Sequence, residues 1–125
     1  MNQSYIKLED LFIYKISIEL CDMGWTIYIE LDWQNKKIIG DQFITSVDSN
    51  AANIAEGYGR YHYLDKVKFF YNARASLFEA KHWINLMYKR KIINETKFNE
   101  FINRCRQVHY ELNKFIKSQK IQKQL

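Results

Sequence analysis

Six polar residues, Gln42, Ser46, Ser49, Asn53, Glu56 and Arg60, recur at intervals of four, three, four, three and four. On an α-helix that spacing draws them into one line. Serine, asparagine, glutamate and arginine all occur in catalytic sites, so Ser49, Asn53, Glu56 and Arg60 could form the wall of a small active site. Such a site needs a nucleophile matched to a base. No histidine falls on this face, and no nucleophile elbow lies nearby. Short polar groups in a helical bundle more often satisfy one another and fix register. The line is therefore expected to be structural, with no catalytic residue on it and the enzyme as the alternative reading.

Three other constellations could carry chemistry. Glu79-x-x-His82 has the spacing used by carboxylate-bridged di-metal bundles, but those need such a pair from each of two helices and this chain has one. His62 and His109 are isolated, and no Cys/His cluster has ligand spacing. No metal or other cofactor is expected. Gly57-x-Gly59 follows a helical pattern instead of a strand and lacks a closing Lys-Ser/Thr pair, so it predicts a helix C-terminus tolerant of positive φ and not a phosphate loop.

Charge is the remaining signal. The net charge is +5, yet residues 86–125 hold ten Lys or Arg against three Glu, whereas residues 1–85 hold nine against eleven acids. Arg104, Arg106, Lys114, Lys117, Lys120 and Lys123 are candidates to neutralise the phosphates of RNA or DNA. No base-reading motif accompanies them, so binding would be directed at the backbone and sensitive to salt. The competing reading is a solvated helix face.

The elements that must position these groups are helices. Proline is absent, glycine occurs four times, and the apolar residues follow spacings of three and four. The first helix, about 8–32, is expected to bury Leu11, Tyr14, Ile18, Cys21, Trp25, Tyr28 and Ile29 and to expose acids. A polar connection over 33–40 leads to Asp41 as N-cap of a second helix, 41–57. A third spans about 62–91, with small residues at its middle that imply a close crossing of the second. A fourth, about 95–119, starts from Asn94 as N-cap. The expected core includes Ile54, Phe70, Leu77, Phe101, Ile102, Cys105 and Leu112. The fold class is all-α, an up-down-up-down antiparallel four-helix bundle.

With 125 residues the chain forms one domain, 1–125, ending in a basic tail at about 117–125. Its 47% apolar content is spread through periodic segments, so no membrane association is expected, and the N-terminal residues do not fit a secretory signal. The expected location is the cytoplasm. Two cysteines, Cys21 and Cys105, are too few for a disulfide framework and are read as reduced packing residues.

Ser49 followed by Asn53-Ile54-Ala55-Glu56-Gly57-Tyr58-Gly59-Arg60 resembles the pattern S-x-x-x-N-I-A-E-G-x-x-R of the four-helix-bundle proteins named after 23S rRNA intervening sequences. Gln42 falls where that family opens the helix with Gln. Phe69-Phe70, Ala73, Ser76, Leu77 and Glu79 are similar to its third helix, and Asp10-Leu11 to its opening. Asp48 and Asn50 depart from it, standing where apolar residues are usual, as do Ala51 for proline, Ala75 for glycine and Lys66 for an aromatic. The resemblance implies a bundle that assembles as a ring-like homopentamer with no established catalytic activity. It also implies kinship with the accessory proteins of diversity-generating retroelements, similar rings that bind a reverse transcriptase and nucleic acid. The expected function is thus a non-enzymatic scaffold whose partners are other copies of itself, together with RNA, DNA or a protein.

Independently of that resemblance, Phe, Trp and Tyr make up 16% of the chain, more than a bundle of this size readily hides. Trp25, Trp33, Tyr58, Tyr61 and Tyr63 cluster near helix ends, which predicts an interface between subunits. The acidic first helix and basic fourth helix could also meet across it, giving the contact complementary charge.

Overall fold

In the computed structural model, which describes residues 6–124 and their side chains through Lys120, four long helices follow one another. They are α1 (Phe12–Glu30), α2 (Asp41–Tyr58), α3 (Tyr63–Lys89) and α4 (Glu95–Gln124), and no strand forms among the described residues. Each helix packs on its neighbours in the order α1–α2–α3–α4–α1, the topology of an up-down-up-down bundle. A 3-10 turn, Leu8–Asp10, precedes α1.

The core residues expected on α2, α3 and α4 are buried, joined by Phe43, Val47, Ile84, Met87 and Val108. Phe43 meets Phe101 across the bundle at 5.2 Å between ring centroids, and Phe70 meets Phe115 edge-on at 5.0 Å. Such tilted pairs add roughly 0.5–1.5 kcal/mol to the burial of the rings.

On α1 the core face differs from the expected one. The buried residues are Ile13, Ile16, Ser17, Leu20, Gly24 and Ile27. Tyr14, Ile18, Cys21 and Tyr28 are half-buried at the flank, and Trp25 and Ile29 are exposed. This helix carries two apolar stripes, and the bulkier one is turned aside because α2 comes too near. A Cβ added to Gly24 would stand 3.0 Å from Val47 Cγ1, so the line through Ser17 and Gly24 fits where an aromatic line does not.

The connection over 33–40 is also helical, a short turn Trp33–Asn35 followed by a π-helical turn Lys36–Gly40 that runs directly into α2. The cap is therefore Asp32, whose Oδ1 accepts the Asn35 N–H at 2.7 Å, and not Asp41. Asp41 instead accepts the Tyr28 hydroxyl proton at 2.6 Å, tying α2 back to α1. Asn94 does cap α4, its Oδ1 accepting the Lys97 N–H at 2.8 Å.

The Gly57-x-Gly59 segment does not supply a positive φ. Gly59 is right-handed at φ −78°, and Gly57 lies buried inside α2. Closeness to α3 explains Gly57: an added Cβ would stand 2.7 Å from Phe70 Cε1. The ammonium of Lys66 caps the end of α2, donating to the carbonyl of Tyr58 at 2.9 Å and reaching that of Gly57 at 3.5 Å. Partial burial pulls the Lys66 pKa below its ordinary value. The left-handed residue among those described is Lys91, φ 61°, at the end of α3. There Ile92 N–H donates to Met87 at 2.8 Å and Lys91 N–H to Tyr88 at 3.0 Å, the Schellman arrangement.

Candidate functional site

The polar line on α2 does not converge on one point. Ser46 is buried and its hydroxyl donates to the carbonyl of Phe43 at 2.8 Å. Asn53 donates to the carbonyl of Ser49 at 2.8 Å, and Arg60 pairs with Glu56 at 2.8 Å one turn away. These hydrogen bonds stay within α2 and the turn that follows it, and the Arg60 guanidinium also lies 4.7 Å from the Phe69 ring centroid on α3. Gln42 is exposed at the start of the helix and Ser49 is half-buried. A shallow concavity of about 590 Å³ lies over Ala52, Ala55, Glu56, Gly59 and Arg60. Ser49 is not among its walls, so the arrangement brings an ion pair together with small side chains and leaves the hydroxyl apart.

Asn50, which the spacing does not single out, is the fully buried polar side chain of α2. Neither its amide oxygen nor its amide nitrogen has a hydrogen-bond partner, and the buried Ser17 hydroxyl on α1 has none either. The sequence signal was present in Asn50 standing at a usually apolar position.

Of the other constellations, Glu79 accepts the indole N–H of Trp83 at 3.0 Å and His82 packs edge-on against the same indole. Cys105 is buried and Cys21 half-buried, both free. Burial pushes each thiol up to about 12, helped at Cys21 by the nearby Asp48 carboxylate.

The basic residues of α4 divide between its two flanks. Arg104 pairs with Glu19 and Lys97 with Glu30, so part of acidic α1 and part of basic α4 meet within one chain. Lys114 lies 3.7 Å from Glu111. On the flank toward α3, His109 stands 3.5 Å from the Lys81 ammonium, Asn113 accepts from Arg74 at 2.9 Å, and Lys120 lies 5.8 Å from the Tyr71 ring centroid. Arg106 and Lys117 share this flank by helical spacing, three or four residues from His109, Asn113 and Lys120. Lys123 lies outside the residues whose side chains are described. Arg74 and Lys81, on α3, join the cluster without having been candidates, because one-dimensional charge counting does not show which α3 residues face α4.

The fold and these contacts define an antiparallel four-helix bundle. The model of the 23S rRNA-intervening sequence protein family matches residues 9–114, and the chain belongs to that family. Among solved structures it is similar to a protein of unknown function from the S23 ribosomal protein family of Bacteroides thetaiotaomicron. The TM-score is 0.79 at 20% identity, covering 84% of this chain and 98% of that one. No curated protein matches.

Proposed function

We propose that this protein is a non-enzymatic scaffold that self-associates and offers a cationic face to a polyanion. The observation that carries self-association is the second apolar stripe of α1. Trp25 and Ile29, continued by Trp33 and Ile38, are each half or more exposed. Trp25 stacks on Tyr28 at 5.4 Å, which holds both rings in place. A rigid aromatic patch of this kind is what subunit interfaces use as anchors. A ring also requires two unlike faces. Tyr61 and Leu64, among the most exposed apolar residues, lie at the opposite end of the bundle and supply a second. The family resemblance supports five subunits.

Light scattering on the purified chain tests this reading. The double substitution Trp25→Ser with Trp33→Ser, both at exposed positions, is expected to shift the oligomer toward monomer while circular dichroism stays helical. An unchanged oligomer would remove this patch from the interface.

A second reading, binding of a nucleic-acid phosphate backbone, is favoured by the gathering of Arg74, Lys81, Arg106, Lys117 and Lys120 on one face. Between Arg106 and Lys120 the positions of α4 in line with them, His109, Asn113 and Lys117, carry no carboxylate. The same face would also accept an acidic protein partner. An active site on the polar line is less well supported, because Ser49 lies apart from Glu56 and Arg60 and no base accompanies it.

A further inference from the structure

The cationic α3–α4 face is not bare charge, since three exposed rings are set among its cations. Tyr71 has the Arg74 guanidinium 4.8 Å from its centroid and the Lys120 ammonium at 5.8 Å. Phe78 has Lys81 at 5.1 Å and packs edge-on against His109 at 4.9 Å. Tyr110 has Lys114 at 5.4 Å and is 64% exposed. On each of the three a cation lies over the ring while the side chain stays partly exposed, so a ring that can stack and a charge that can neutralise a phosphate share one place.

The geometry points to a track for single-stranded nucleic acid, in which Tyr71, Phe78 and Tyr110 stack bases while the neighbouring cations hold the backbone. The inference rests on the polyanion-binding reading and narrows its ligand class. A duplex keeps its base faces inside the helix, so exposed rings add nothing to duplex binding, whereas a single strand can use both rings and charges. Arg106 to Lys120 spans fourteen residues, roughly 21 Å at 1.5 Å per residue. That suits the short end of known single-strand sites, about four nucleotides. Stacking is tolerant of sequence, in keeping with the lack of a base-reading motif.

The surroundings of His109 support a face built for anions. Burial, then the positive charges of Lys81 and Arg74, pull its pKa below the ordinary value, and no carboxylate acts on it from either helix. These influences favour the neutral imidazole, whose ring packs edge-on against Phe78. Glu79 is turned to Trp83, and Glu111 lies 3.7 Å from Lys114, so the cation at Tyr110 is shared with a carboxylate while, among the described residues, those at Tyr71 and Phe78 are not.

The test is fluorescence anisotropy on the full chain with a labelled twelve-nucleotide oligothymidylate, at two salt concentrations, against a blunt duplex of equal length and inorganic polyphosphate. The single strand is expected to bind at least tenfold more tightly than the duplex. Phe78→Ala with Tyr110→Ala is expected to lose that preference while leaving polyphosphate binding unchanged. Arg106→Glu with Lys117→Glu is expected to weaken all three ligands and flatten the salt dependence. Should Phe78→Ala perturb the fold by circular dichroism, Tyr110→Ala alone, at the most exposed ring, carries the comparison. Equal binding of strand, duplex and polyphosphate, indifferent to the rings, would overturn the single-strand track and leave the polyanion reading standing. Absence of binding to all three at low salt would overturn both.

Discussion

Gly57 of α2 lies so close beneath Phe70 of α3 that a Cβ on the glycine would stand 2.7 Å from the ring's Cε1 and 2.9 Å from its Cδ1. It would also meet Phe69 Cβ at 2.9 Å, so the added atom is trapped between a ring and the stem of another side chain. Gly57→Ala is expected to destabilise the bundle by about 1–3 kcal/mol through overpacking. Gly59→Ala, where an added Cβ meets nothing nearer than 3.7 Å, is expected to leave stability unchanged or slightly raised. Urea unfolding of the two variants checks the contrast, and equal costs would show that closeness to Phe70 is not what requires glycine.

Lys91 occupies the left-handed position that ends α3, where a side chain costs roughly 1–2 kcal/mol and glycine costs nothing. Lys91→Gly is expected to stabilise the protein by about 1 kcal/mol, less what the unfolded chain gains in entropy. A loss of stability in thermal unfolding would contradict the Schellman arrangement there.

Asn50 is buried with both amide atoms unpartnered, a burden of about 1–3 kcal/mol when a polar group is desolvated without compensation. Asn50→Leu, close in shape and apolar, is expected to raise the unfolding free energy by an amount of that order. A fall in stability would contradict an uncompensated amide at this position.

The helices, their order and the core on α2, α3 and α4 were legible because each of those helices has a single apolar stripe. On α1 the stripe through Trp25 and Ile29 outweighs the one through Ser17 and Gly24 in bulk, and only the approach of Val47 decides between them. The connection over 33–40 looks polar in sequence because Trp33, Ile38 and Ile39 are separated by Gln34, Asn35, Lys36 and Lys37, a pattern that a π turn accommodates. Position alone points Gly57 to a helix end, whereas its cause is a contact with a residue thirteen positions later. The cationic residues of α4 were readable one by one, but their partition between Glu19 and Glu30 on one flank and Arg74 and Lys81 on the other depends on packing.

Both thiols are held up at about 12 in the folded protein, against an ordinary value of 9.0. Because the folded values are raised, their contribution to stability is fully present below pH 9 and is lost as the pH climbs from 9 toward 12. Folded protein at pH 8 is expected to react slowly with iodoacetamide at Cys21 and slower still at the buried Cys105, and both are expected to react promptly in denaturant. Rapid modification of folded Cys105 would show that α4 opens locally.

The central claim, self-association of a scaffold, is decided by sedimentation equilibrium of the full chain at micromolar concentration. The account predicts a mass several times that of the 15.2 kDa chain, five times for the ring. A single species at the monomer mass would contradict self-association, and a dimer would contradict the ring.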